Sequence, residues 1–177
     1  MKMRSVFVAL TVTALVGVVL AQDVARETGD PAARHLLAPA LALWVIQSRD
    51  AAIARGVEDM PSEIRKAFDE FVSSDVLDSV QWRIDGETGV VGRSLFLAGA
   101  VRAVTLDNVI VFANANEAAN AKLWAHELFH VLQYRQWGVE EFASRYVADR
   151  RAVEHAAREF RWSWMKATGR VPSPAGE

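Results

Sequence analysis

Residues 103–134 read AVTLDNVIVFANANEAANAKLWAHELFHVLQY, and the fold is decided there. Two β-rich runs, Val101 to Leu106 and Val109 to Phe112, flank Asp107-Asn108, two residues that tolerate positive φ. The pattern predicts a tight hairpin. Val109-Ile110-Val111-Phe112 is apolar at every position, so this strand is expected to be covered on both faces or to lie beside something important. The period then changes from strand to helix. Asn114 or Asn116 is expected to cap a helix that runs to about Gln136, with Gly138 as its stop.

That helix contains His126-Glu127-Leu128-Phe129-His130, the pattern H-E-x-x-H. Residues i and i+4 lie one above the other on a helix, so both imidazoles can reach one metal ion. Glu127 follows about 100° further round, beside the ion's open position. There it can take a proton from water and deliver it to a leaving amine. At this composition the pattern is expected by chance only about 0.006 times, so its position in a charge-free helical stretch is informative. Leu123, Trp124, Ala125, Leu128, Phe129, Val131 and Leu132 surround it with the packing that rigid ligands need. Two ordinary imidazoles on that face would leave Glu127 among apolar neighbours with nothing to compensate it.

A catalytic zinc site takes three protein ligands. The last helix, from about Glu140 to about Lys166, offers Asp149, Glu154 and His155. Glu154 is the choice. Its 24-residue separation from His130 lets the chain leave the first helix, turn at Gly138 and return, and its small neighbours allow close helix approach. Asp149 and His155 stay open as alternatives. Tyr134, Tyr146 and His155 are candidates to stabilise an oxyanion, with nothing in the sequence to select one.

Outward from this core, residues 1–21 are expected to be a signal peptide. Lys2 and Arg4 precede an apolar run from Val6 to Leu20, and Val19-Leu20-Ala21 predicts cleavage after Ala21. The run is shorter than the ~20 residues of a bilayer span, so no stable membrane span is expected after cleavage. The protein is accordingly expected in the periplasm or outside the cell. Asp30-Pro31 should open a helix through Leu36, Leu37, Ala40, Leu41, Leu43, Trp44 and Ile46, with Pro39 kinking or delaying it. Pro61-Ser62-Glu63 should open a second, amphipathic helix bearing Ile64, Ala67, Phe68, Phe71 and Val72. Ser74 to Val80 is expected to be a turn or helical connection, Gln81 to Ile84 and Val90 to Phe96 strands, and residues 85–89 a turn cluster.

Composition excludes several classes. Hydrophobic residues make up 51% and charged ones 24%, which excludes a disordered chain. The net charge of −2 falls to −4 once Lys2 and Arg4 are removed, and neither value fits a general nucleic-acid binder. There is no Cys, so disulfides, thiolate ligands, iron–sulfur clusters and cysteine nucleophiles are excluded, and a lipoprotein-type anchor, which needs a Cys at the cleavage site, is disfavoured. Any metal site must use His, Asp or Glu.

The stretch Ala125 to Tyr134, with Gly138, Phe142, Ala143, Tyr146, Glu154 and Ala157, resembles a bacterial family of zincin-type metallopeptidase domains. That family is classed as a domain of unknown function, with relatives among proteins of extracellular contractile injection systems. The strand Ala103 to Phe112 is similar to the one that precedes the family's active helix, and the resemblance spans roughly residues 75–160. It implies a gluzincin-type site with His126, His130 and Glu154 holding Zn2+ and Glu127 as general base. This chain lacks the longer Asn-Glu motif of well-studied gluzincins at Glu154. The expected fold is a small α+β, zincin-like domain: N-terminal helices, a short antiparallel sheet, the H-E-x-x-H helix and a C-terminal ligand helix. The expected organisation is signal peptide 1–21, helical segment 22–74, metallopeptidase core 75–166 and flexible tail 167–177. A zinc-dependent peptidase acting on peptide or protein is the expected function, with a zinc-stabilised, non-catalytic module of the bacterial envelope as the alternative. Val109 to Phe112 is the strand expected to receive substrate backbone by strand addition.

Overall fold

Asp107 turns the chain with φ 61°, in the left-handed region that Asp tolerates, and closes the predicted hairpin. The computed structural model describes residues 31–84 and 101–171, with 31–35 as backbone only. Residues 1–21, expected as a signal peptide, Asp30, residues 85–89, expected as a turn cluster, residues 90–96, expected as a strand, and the last six residues of the expected tail lie outside the described residues. The elements are α1 (Pro31–Ala54), β1 (Glu58–Asp59), α2 (Ser62–Lys66), α3 (Ser74–Ser79), β2 (Gln81–Ile84), β3 (Ala103–Leu106), β4 (Val109–Phe112), α4 (Ala115–Ala118) and α5 (Ala121–Ala167). The class is α+β: an N-terminal helix, a small four-stranded sheet and a long C-terminal helix.

The sheet corrects the expectation of an antiparallel one. Its order is β1-β2-β4-β3, and β2 runs parallel to β4 with Gln81 opposite Val109. Asn108 sets this register: its carbonyl accepts from Gln81 N–H at 3.0 Å, and its side-chain amide donates to the Ser79 carbonyl at 2.8 Å. The hairpin tip therefore holds the end of α3 and delivers β2 alongside β4. With β2 on one side and β3 on the other, both edges of β4 are filled. Strand addition to Val109–Phe112 is thereby excluded, because its ladder groups are already paired. Among the described residues β1 and β3 are the two edge strands.

All four β4 residues are buried, as a central strand covered on both faces requires. Ile110 and Phe112 pack with Phe68, Val76, Leu77, Trp124, Leu128 and Trp164. Val109 and Val111 point the other way, towards Leu41, Trp44 and Val45 of α1 and Phe142 and Val153 of α5. This alternation divides the core into two halves, and α5 contributes to both.

α1 runs through Pro39 and buries Leu41, Trp44, Val45, Ser48 and Ala52, while Leu36 and Leu43 are exposed. Its Leu36–Ala54 stretch is long and apolar enough to cross a membrane by length and composition alone. The second predicted helix is cut short after Lys66. In a continuing helix the Ala67 carbonyl would accept from Phe71 N–H; instead it accepts from the Trp164 indole at 2.8 Å, and Trp164 stacks on Phe68 at 4.7 Å. Asn114 caps only the single turn α4, and the cap of α5 is Asn120, whose Oδ1 accepts from Lys122 N–H at 3.1 Å.

Candidate metal centre

Trp124 fixes the rotation of the motif helix. It is fully buried, its indole N–H donates to the Ala118 carbonyl at 2.7 Å, and its ring lies 4.7 Å from that of Phe112. With Trp124 locked, Glu127 faces β3. The Thr105 hydroxyl donates to Glu127 Oε2 at 2.7 Å. Glu127 is 5% exposed, and burial pushes its carboxyl above the ordinary range, against the lowering effect of His130 and of the Thr105 hydroxyl.

α5 is broken twice, at Gly138 (φ 76°, ψ 166°) and at Asp149 (φ −150°, ψ 78°). Gly138 is the predicted stop, whereas the break at Asp149 was not expected. The conformation at Gly138 is one that glycine alone adopts readily. The segment between the breaks packs Phe142 on Tyr134 at 3.8 Å, stacked ring on ring, and carries Tyr146. After Asp149 the chain returns with Val153 buried and Glu154 half-buried.

The three chain segments bring His126, His130 and Glu154 together, with one donor atom from each lying within 4.8 Å of the others. His126 Nε2 is 3.3 Å from His130 Nε2 and 3.3 Å from Glu154 Oε2. His130 Nε2 is 3.8 Å from Glu154 Oε1. Ligands about 2.05 Å from a tetrahedral zinc ion lie about 3.3 Å apart, whereas right-angled octahedral neighbours at that bond length lie about 2.9 Å apart. The donor set and its spacing fit a tetrahedral ion. Burial works to raise the Glu154 carboxyl, but the hydrogen bond to His126, the charges of His130 and His126 and the Tyr146 hydroxyl outweigh it and hold it at about 2. It is therefore a carboxylate, the form a metal requires.

The alternatives occupy other positions. Asp149 is exposed, and its Oδ1 accepts from Ala152 N–H at 3.1 Å, so its side chain caps the returning helix. His155 is exposed, one residue and about 100° round from Glu154. Tyr134 is fully enclosed in the core, whereas the Tyr146 hydroxyl donates to Glu154 Oε1 at 3.1 Å. Burial and the neighbouring Glu154 charge push that phenol up, so it remains a donor.

Two site residues escaped the sequence. Thr105 is one, and the β-alternation that points it at the helix is visible only once β3 is registered on β4. Gln133 is the other. It is buried, its Oε1 lies 2.8 Å from His130 Nδ1, and its amide N–H donates to the Val153 carbonyl at 3.3 Å. An amide three residues after His130 in an apolar stretch was its available signal. Among the described residues His126 Nδ1 is buried without a hydrogen-bond partner, so the two imidazoles are held differently.

Residues 59–138 match the family model of the eCIS core domain. The match is consistent with a relation to proteins of contractile injection systems. It includes His126, Glu127 and His130 and ends at Gly138, before the segment that carries Glu154. No curated protein and no solved structure matches the chain.

Proposed function

We propose that this protein is an exported zinc-dependent peptidase, acting on peptide or protein in the periplasm or outside the cell. The observation that carries the proposal is the convergence of His126, His130 and Glu154 beside a buried Glu127. When bound, zinc polarises the scissile carbonyl and acidifies water. His126, His130 and Glu154 would hold it. Glu127 removes a proton from the water whose oxygen bonds to the carbonyl carbon. It then delivers that proton to the amide nitrogen as the C–N bond breaks. Thr105 keeps the Glu127 carboxylate oriented while this happens. A Glu whose carboxyl is raised by burial is better matched to such a shuttle than an exposed one. β3, an edge strand among the described residues, carries Thr105 and is the element along which an extended substrate would lie beside Glu127.

The direct test is Glu127→Gln. The Gln carbonyl oxygen can still accept from Thr105, so fold and zinc content should be retained while hydrolysis falls by about 10²- to 10⁴-fold. Turnover equal to wild type, with contaminating protease excluded, would sink the mechanism.

A second reading, a zinc-stabilised module without catalysis, is favoured by the near-complete burial of Glu127. It expects tight zinc but no new termini in a proteome-wide cleavage screen. The peptidase expects reproducible new termini that Glu127→Gln abolishes.

A further inference from the structure

The Gln133 side chain touches both halves of the candidate centre. The Val153 carbonyl can only accept, so the Gln133 atom facing it must be the amide nitrogen. This assigns the other atom, 2.8 Å from His130 Nδ1, as the carbonyl oxygen, an acceptor. His130 Nδ1 must then carry the imidazole proton. In the neutral ring its Nε2 is left with a lone pair, aimed at His126 Nε2 and Glu154. The same amide holds the carbonyl of the residue preceding Glu154, across the two breaks in α5. Gln133 is 3% exposed, so water does not compete for either bond.

We propose that Gln133 is the positioning residue of this site: one buried amide sets the tautomer of His130 and pins the returning helix so that Glu154 faces it. The proposal rests on the metal-site reading for its consequence, but the tautomer itself exists without metal. His126, whose Nδ1 has no partner among the described residues, has no equivalent device. Partners of this kind typically change metal affinity by about 10- to 100-fold when removed.

The test uses the full chain, metal-free, with 15N-labelled histidine, at a pH where the imidazoles are neutral. Wild type should show His130 protonated at Nδ1. Protonation at Nε2 instead overturns the proposal, with no variant needed. Gln133→Met keeps the volume and removes both bonds. It should give a mixed His130 tautomer and zinc affinity, measured by chelator competition, reduced about 10- to 100-fold. Gln133→Glu keeps the acceptor but cannot donate to Val153, so it should restore the Nδ1 proton and recover part of the affinity. A merely structural role would not return the tautomer with the acceptor. Gln133→Met with the wild-type tautomer and affinity refutes the assignment. If Gln133→Met does not fold, the wild-type tautomer and Gln133→Glu still decide it. If wild type binds no zinc, the metal-site reading fails while the tautomer measurement still decides Gln133.

Discussion

Replacing Gly138 by Ala tests how the candidate centre is assembled. An unbroken helix rises 1.5 Å per residue and would carry residue 154 about 36 Å along the axis from residue 130. In the structure His130 Nε2 and Glu154 Oε1 lie 3.8 Å apart, and Gly138 is the first of the two breaks that make the difference. A Cβ on Gly138 would meet nothing within 4 Å, so the cost of Ala lies wholly in the backbone. At φ 76° and ψ 166° that cost is about 1–3 kcal/mol for a residue other than glycine. The loss of unfolded-chain freedom offsets about 0.4–1 kcal/mol of it. A net destabilisation of about 1–2 kcal/mol should lower Tm by about 2–8 °C for a chain of this size. Alanine also favours helix over glycine by about 1 kcal/mol, which biases the chain towards running straight through and separating Glu154 from the histidines. Zinc affinity should therefore fall together with Tm. The assay is thermal unfolding of metal-free protein by circular dichroism, followed by chelator competition for zinc. Gly138→Asn should rescue neither, because Asn tolerates positive φ mainly with ψ near 30–60°. An unchanged Tm with unchanged zinc affinity in Gly138→Ala would refute the role assigned to the turn.

Thr105→Val should leave Glu127 Oε2 buried without its donor, costing about 1–3 kcal/mol in denaturant unfolding. The hydroxyl favours the charged carboxylate, so its loss raises the Glu127 carboxyl further, and the acid limb of kcat/KM should move to higher pH. A limb that stays in place would mean that Thr105 does not act on the base. Removing zinc with a chelator should lower Tm, since a ligand at about 100 times its Kd stabilises by about 2.7 kcal/mol. Glu154→Ala should show near-zero zinc by metal analysis and no chelator effect on Tm. Full zinc content in that variant would remove Glu154 from the ligand set.

The features legible in the sequence were the local ones. H-E-x-x-H on an apolar helix declares two stacked imidazoles from spacing alone, Asp107-Asn108 declares a hairpin, and Gly138 declares the end of a helix. Each depends on residues within a few positions of one another. The second predicted helix failed because Trp164, 97 residues away, takes the carbonyl on which its next turn depends. The parallel pairing of β2 with β4 was hidden for the same reason: the partner is remote, and the register is set by Asn108 reaching Ser79.

The sequence by itself determined the α+β class, the hairpin, the helical face carrying His126 and His130, and the position of the first break, because local periodicity and backbone chemistry act over short spans. Only the tertiary structure decided that Glu154 meets those histidines while Asp149 caps a helix and His155 faces solvent. Only the tertiary structure decided that Thr105 holds Glu127, and that Gln133 bonds both His130 and the Val153 carbonyl of the returning helix. These contacts depend on where two backbone breaks and a mixed sheet set segments that are distant along the chain. No spacing rule encodes that, because the packing that selects it is shared among all the segments at once.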